Sequence, residues 1–180
     1  ARLWSFDEQA RIDDDWFAAR IAAAIHRRAD LARDTDAVRL LFGEGDGLPG
    51  VVVDRYGEQL VLQLMSAGAE RWREAIVAGL RAATGLTDLY ERSDASARER
   101  EGLPLREGVI SGRMPGSALA VTEHGVKYLV DVPEGHKTGF YIDQRDSRHD
   151  VARHAAGRSV LNCFCYTGGF TLAALAGGAT

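Results

Sequence analysis

Two periods of apolar residues run through this chain, and the points where one gives way to the other outline its elements. Asp13-Asp14-Asp15 is a helix-start signal, since carboxylates satisfy free backbone amides and suit the positive end of the helix dipole. Trp16, Phe17, Ile21, Ala24 and Ile25 then recur at helical spacing and predict an amphipathic helix to about Ala32. Residues 37–42 read as a strand. Residues 43–50 are dense in Gly and Pro and read as a turn, because a strand follows them, whereas a phosphate cradle needs a helix start. Residues 51–56 and 60–65 form the arms of a hairpin turning at 56–59. A second helix is predicted over 67–83, with Trp72, Ile76, Leu80 and Ala83 on its buried stripe and Gly85 ending it. Residues 86–91 read as a strand. Up to this point the pattern is an α+β unit, a small largely antiparallel sheet with helices. A strand is also expected over residues 1–6.

The next stretch is polar. Residues 92–101 carry mixed charge and read either as a solvated loop or helical turn, or as an RNA contact through Arg92, Arg98 and Arg100. Residues 103–113 read as loop and weak strand. Residues 119–122 and 126–132 flank Glu123-His124-Gly125 as a hairpin, with His124 a turn residue. The domain boundary is expected within 133–137, where a strand runs into a loop containing Gly and Pro.

Composition narrows the class. The chain has 180 residues, 46% of them hydrophobic and 27% charged, enough for one or two cored domains. Its net charge of −4, from 22 basic and 26 acidic residues, argues against a protein coated in positive charge, but a local basic patch still suffices for phosphate contacts. The two cysteines, Cys163 and Cys165, are too close for a common disulfide and fit free thiols in a reducing cytoplasm. They are too few for a zinc site. No signal peptide is expected, and no apolar run reaches the roughly 20 residues of a membrane span. The start at Ala1 and the stop at Thr180 give the expectation of a piece of a longer protein, cut at both ends.

Two segments carry chemistry. Residues 159–175 read as a short apolar strand, a glycine turn at Gly168-Gly169 and an apolar helix, the first βα unit of a doubly wound sheet. Ligands of such sheets sit beyond the strand ends, where glycine lets them approach the backbone and a helix start offers amides. The spaced glycines of a dinucleotide turn are missing, which disfavours NAD and FAD. The other segment is residues 136–148. In it Asp143 can cap a helix over 144–155, Gln144 offers donors and acceptors, Tyr141 can pack on a cofactor, and Lys137 with Arg145 makes a basic cluster.

Gly-His-Lys-Thr-Gly-Phe-Tyr-x-Asp-Gln-Arg-x-x-Arg, followed by Val-Leu-Asn-Cys-Phe-x-Tyr-Thr-Gly-Gly-Phe, resembles the RlmI-like family of large-subunit ribosomal RNA cytosine-5 methyltransferases. Upstream, Gly45-Asp46-Gly47-Leu48-Pro49-Gly50, Asp54-Arg55-Tyr56, residues 64–70 and Arg92-Ser93-Asp94 are similar to that family's central domain, so the resemblance covers almost the whole chain. It implies an RNA-binding PUA-like end or linker over residues 1–9, a central α+β domain over 10–134, and the start of a Rossmann-like methyltransferase domain over 135–180. It implies S-adenosylmethionine (SAM) as cofactor, ribosomal RNA as partner, a cytoplasmic location and a homodimer. By the same resemblance Tyr141, Gln144, Asn162, Phe164, Tyr166, Thr167, Gly168, Gly169 and Phe170 touch SAM; Arg92, Arg98 and Arg100 of the polar run and Lys137 and Arg145 of the basic cluster are the candidate RNA contacts.

The expected reaction forms 5-methylcytosine; the alternatives are methylation of another base or RNA, and a non-catalytic RNA-binding module. Cytosine C5 attacks a methyl donor only after a cysteine thiolate has added at C6. The family's catalytic cysteines and its Asp-Pro-Pro motif are expected beyond Thr180, so no catalytic residue is assigned here and these residues alone are expected to be inactive. Cys163 and Cys165, beside the cofactor loop, are not given that role. One departure is noted: where the family often carries paired acids before the hairpin histidine, Thr122 precedes Glu123.

Overall fold

A computed structural model describes residues 2–180. Its frame is a five-stranded mixed sheet in the order β1 (Ala37–Phe42), β2 (Val51–Tyr56), β3 (Gln59–Leu64), β4 (Asp88–Ser93), β5 (Arg106–Ser111). Neighbours are antiparallel except β3 and β4, which run parallel. A parallel pair needs a crossover, and α2 (Ala67–Arg71) with α3 (Arg73–Thr84) supplies it. α1 (Asp14–His26) lies beside α3. Asp13 caps α1 by accepting from the Trp16 amide at 3.1 Å.

Alternation along the strands divides the sheet into two faces. Val51, Val53, Leu60, Leu62 and Leu64 point toward Phe17, Ile21, Ile76 and Leu80 and form the larger core. Each such side chain, fully buried, contributes about 1.5–3 kcal/mol. Ala37, Tyr56, Val61 and Tyr90 point the other way. A separate hairpin, β6 (Leu119–Glu123) and β7 (Val126–Val130), covers them with Val121, Tyr128 and Val130, and Val132 and Phe140 extend the cover. The hairpin is tied to the approach to β1: the Asp36 and His124 amides donate to the Thr122 and Asp34 carbonyls at 3.1 and 2.8 Å. The second core therefore brings the start of the 136–148 segment onto the sheet.

Several elements differ from expectation. α1 stops at His26 and a 3-10 turn, Ala29–Arg33, follows, because Arg27 and Arg28 swing to the buried Asp46 at 2.7–2.9 Å. The second predicted helix breaks at Trp72, which packs on Phe17 at a ring separation of 5.1 Å. Part of the polar 92–101 run is structured: Arg92 and Ser93 belong to β4, and Ala97–Arg100 is a single helical turn, α4. Residues 2–6 form no strand; Ala1 lies outside the described residues. A strand needs a partner, and this segment instead seats Trp4 edge-on against Trp16 and Phe17 and pairs Arg2 with Glu101. Residues 159–165 form no strand either, for the same reason: nothing among the described residues pairs with their backbone. The helix after them, α6 (Gly169–Ala176), does form and packs on α5 (Arg145–His154). Among the described residues no helix is long and apolar enough to cross a membrane.

Candidate functional site

The 136–148 segment leaves the hairpin at Val132 and is held from below. Thr138 and Phe140 are buried against the sheet, and Phe140 tilts onto Tyr128 with ring centroids 5.2 Å apart. Arg148 on α5 secures the far end. Its guanidinium grips the buried Glu123 carboxylate with two 2.7 Å hydrogen bonds, donates to the Tyr141 carbonyl at 3.0 Å and lies 4.5 Å from the Phe140 ring centroid. Burial first and the Glu123 charge second raise the Tyr128 phenol above its ordinary pKa, with Arg148 pulling the other way. Tyr128 thus stays neutral, and its hydroxyl reaches the Gly169 carbonyl at 3.5 Å.

Asp143 does not cap α5, contrary to expectation. A 3-10 turn, Ile142–Gln144, leads into the helix, and Asp143 accepts instead from Lys137 Nζ at 2.9 Å. Burial pushes this carboxyl up, but the Lys137 hydrogen bond and charge outweigh it and leave the pKa below the ordinary value.

The second wall comes from the turn before α6. Phe164, Tyr166 and Gly168 adopt positive φ angles of 58°, 50° and 77°. The left-handed region is natural for Gly168 and costly for the two aromatics, a local strain of the kind concentrated at ligand sites. Among the described residues no side chain caps α6, which leaves its first amides available to an anionic group. His136 joins the two walls: its ring stacks on Tyr166 with centroids 4.6 Å apart, its amide donates to the Tyr166 hydroxyl at 2.9 Å, and its Nδ1 lies 3.2 Å from the Tyr141 hydroxyl.

Between the walls lies an open cavity of about 570 Å³. Of the nine expected cofactor contacts it is lined by Tyr141, Gln144, Phe164, Tyr166, Thr167, Gly169 and Phe170. Asn162 and Gly168 stand just behind. Asn162 donates to the Thr171 hydroxyl at 2.8 Å, and Gly168 makes the turn. His136, Phe140, Arg148 and Cys165 also line the cavity and were not singled out as cofactor contacts. The glycine-flanked run containing His136 and Phe140 was a usable signal for the first two. Arg148, one helical turn from Gln144, had the spacing to share its face. Among the described residues no three metal-ligating side chains cluster.

A family model described as S-adenosylmethionine-dependent methyltransferase matches residues 108–180, which span the hairpin and both walls of this cavity. A protein of Erwinia tasmaniensis named ribosomal RNA large subunit methyltransferase I is 52% identical over 98% of this chain and 45% of the relative's length. The chain is similar to this methyltransferase over almost its whole length. Relatives of the same name from Klebsiella pneumoniae and Escherichia coli are 51% and 47% identical over 99% of the chain, and cover 45% and 46% of their own lengths. The chain thus spans about half the length of the curated relatives it matches. A solved structure described as a candidate SAM-dependent methyltransferase of Streptococcus mutans superimposes with a TM-score of 0.81 at 28% identity, over 96% of this chain and 44% of that one. Another, described as a candidate methyltransferase complexed with S-adenosylhomocysteine (SAH), gives 0.82 at 28% identity with the same coverage.

The candidate RNA-contacting cations divide in two. Arg92 and Arg98 are corrections. Arg92 is buried, donating to the Val132 and Gly135 carbonyls and pairing with Asp94. Arg98 is wholly sealed. It donates to the Leu64 and Pro104 carbonyls at 2.6 Å, and its Nη2 sits 2.8 Å from Glu70 without the alignment of a hydrogen bond. Both spend their charge inside the fold. Arg100 and Lys137 are exposed, and Arg145 is partly exposed beside Asp146.

Proposed function

We propose that the protein containing these residues is a SAM-dependent ribosomal RNA methyltransferase, and that the cavity between residues 136–148 and 164–170 holds the cofactor. The observation that carries this reading is the convergence of two sequence-distant segments on one cavity, inside the region matched by the family model. The lining fits the group. Aromatic faces of Tyr141, Phe164, Tyr166 and Phe170 suit a sulfonium cation and an adenine ring. The uncapped start of α6 suits a carboxylate, and Gln144 supplies both donors and acceptors for an amino acid. When bound, SAM supplies an electrophilic methyl group; these residues hold and orient it.

In this reading residues 1–9 end a PUA-like domain, 10–134 form the central α+β domain, and 135–180 open a Rossmann-like domain whose first strand, 159–165, pairs with strands outside these residues. The product is 5-methylcytosine in large-subunit ribosomal RNA, and the catalytic thiolate comes from outside residues 1–180, so these residues alone are inactive. Arg100, Lys137 and Arg145 contact the RNA backbone, and the work takes place in the cytoplasm. The relatives' printed name, at about half of sequence positions identical, supports the substrate class. The test is incubation of the full-length protein with labelled SAM and unmodified large-subunit ribosomal RNA, followed by nucleoside identification. 5-Methylcytidine is the expected product. Another methylated base would overturn the cytosine assignment, and absence of transfer would overturn the activity.

A further inference from the structure

Three buried polar side chains on the far side of the cavity floor have no place in the reading above. Asp54 and Tyr56 lie two residues apart on β2 and so share the sheet face that meets the hairpin, and Thr138 comes down onto them from the cofactor segment. All three are essentially inaccessible. A polar group in such a place is costly unless every bond is made.

Here the bonds run in one direction. The Phe140 amide donates to the Tyr56 hydroxyl at 3.2 Å, and the Tyr56 hydroxyl, 2.8 Å from Thr138 Oγ1, donates to it. The Thr138 hydroxyl donates to Asp54 Oδ2 at 2.5 Å. Arg39 closes the chain with two hydrogen bonds of 2.8 and 2.9 Å to the same carboxylate. Because an ionised carboxylate only accepts, it sets the sense of every bond before it. Burial and the Asp54 charge keep the Tyr56 phenol protonated, as the chain requires.

Thr138 and Phe140 bracket Gly139, and Phe140 and Tyr141 are cavity walls. The loop around them is tightly constrained. Lys137 has a φ of 58° and Gly139 one of 130°, and a Cβ at Gly139 would lie 2.8 Å from Val130 Cγ1. A hydrophobic pair could fill the same space without fixing where the loop backbone sits.

We infer that Asp54, Tyr56 and Thr138 are positioning residues, by which the central sheet fixes the Phe140–Tyr141 wall at the geometry that binds the cofactor. The inference rests on the cavity being the SAM site. It makes the sheet of the central unit a working part of cofactor binding.

The experiment is calorimetric titration of SAH into full-length wild type and the variants Thr138→Val, Thr138→Ser and Tyr56→Phe, with Tm recorded for each. Leu62→Ala, in the opposite core, is the control for loss of stability alone. Thr138→Val is expected to weaken SAH about tenfold, and Tyr56→Phe several-fold, while Thr138→Ser and Leu62→Ala stay within about twofold of wild type. If Thr138→Val and Tyr56→Phe bind like wild type, or Leu62→Ala weakens SAH as much as they do, the positioning role is overturned while the cofactor site stands. If wild type itself fails to bind SAH, the cofactor reading falls and the inference with it.

Discussion

The five-stranded sheet and the segment at residues 159–168 are built from similar apolar residues and end in opposite conditions. In the sheet, Leu60, Leu62 and Leu64 are wholly buried, and β3 is paired on both edges. In the segment, Leu161 and Phe164 stand in the open, and no backbone ladder forms. The contrast teaches that an apolar run becomes a strand only when another strand meets it. The 5-stranded sheet supplies its own neighbours within about 75 residues, from 37 to 111, whereas the 159–165 run has none among the described residues. What holds the second region in place is therefore not its sheet but α5, α6 and the Arg148–Glu123 pair.

Removing that pair tests the contrast most severely. Glu123→Ala leaves Arg148 buried without its counter-charge, and denaturant unfolding is expected to lose about 3–5 kcal/mol. A loss below 1 kcal/mol would mean that the hairpin is not the anchor described. On the sheet side, Leu62→Ala is expected to cost about 2–5 kcal/mol by the same measurement, through lost burial and a residual cavity.

Gly177→Ala probes the contact between α5 and α6, where an added Cβ would collide with the Ala152 carbonyl. The expected cost is about 1–3 kcal/mol, read as a lower Tm.

Acid titration addresses the turn beside β1. Burial raises the Asp46 carboxyl pKa, but hydrogen bonds from Arg28, Arg27 and the Phe42 amide prevail and hold it below the ordinary value. Because the folded pKa lies below the unfolded value of about 3.9, this stabilisation is fully present above that pH and is lost as pH falls through the folded pKa. Asp46→Asn should therefore lower stability at pH 7 and flatten its fall below about pH 4. An acid limb unchanged from wild type would contradict this assignment. The smallest effect is expected at Leu161, where replacement by Ala in these 180 residues should change stability by less than about 0.5 kcal/mol.

Most of the five-stranded sheet and its helices was readable because alternation and helical spacing are local signals. The hairpin β2–β3, the helix start at Asp13 and the β6–β7 hairpin all follow from them. What escaped depended on partners distant in sequence. Residues 2–6 carry an apolar pattern but find aromatic rings in α1 rather than a strand. Arg92 and Arg98 looked like free cations in a polar run, yet Val132, Gly135, Leu64 and Glu70 claim them. In the candidate site, the glycine turn and the segment around Tyr141 were legible as motifs. The roles of Arg148 and of the Asp54–Tyr56–Thr138 chain were not, since each joins elements tens of residues apart.

Whether this cavity holds the cofactor is decided by titration of SAH into the full-length protein, wild type and Gln144→Ala. Wild type is expected to bind saturably at one site per chain, and Gln144→Ala to bind more weakly at unchanged Tm. Undetectable binding to wild type, or equal affinity in the two proteins, would contradict the placement of the cofactor against Gln144 in this cavity.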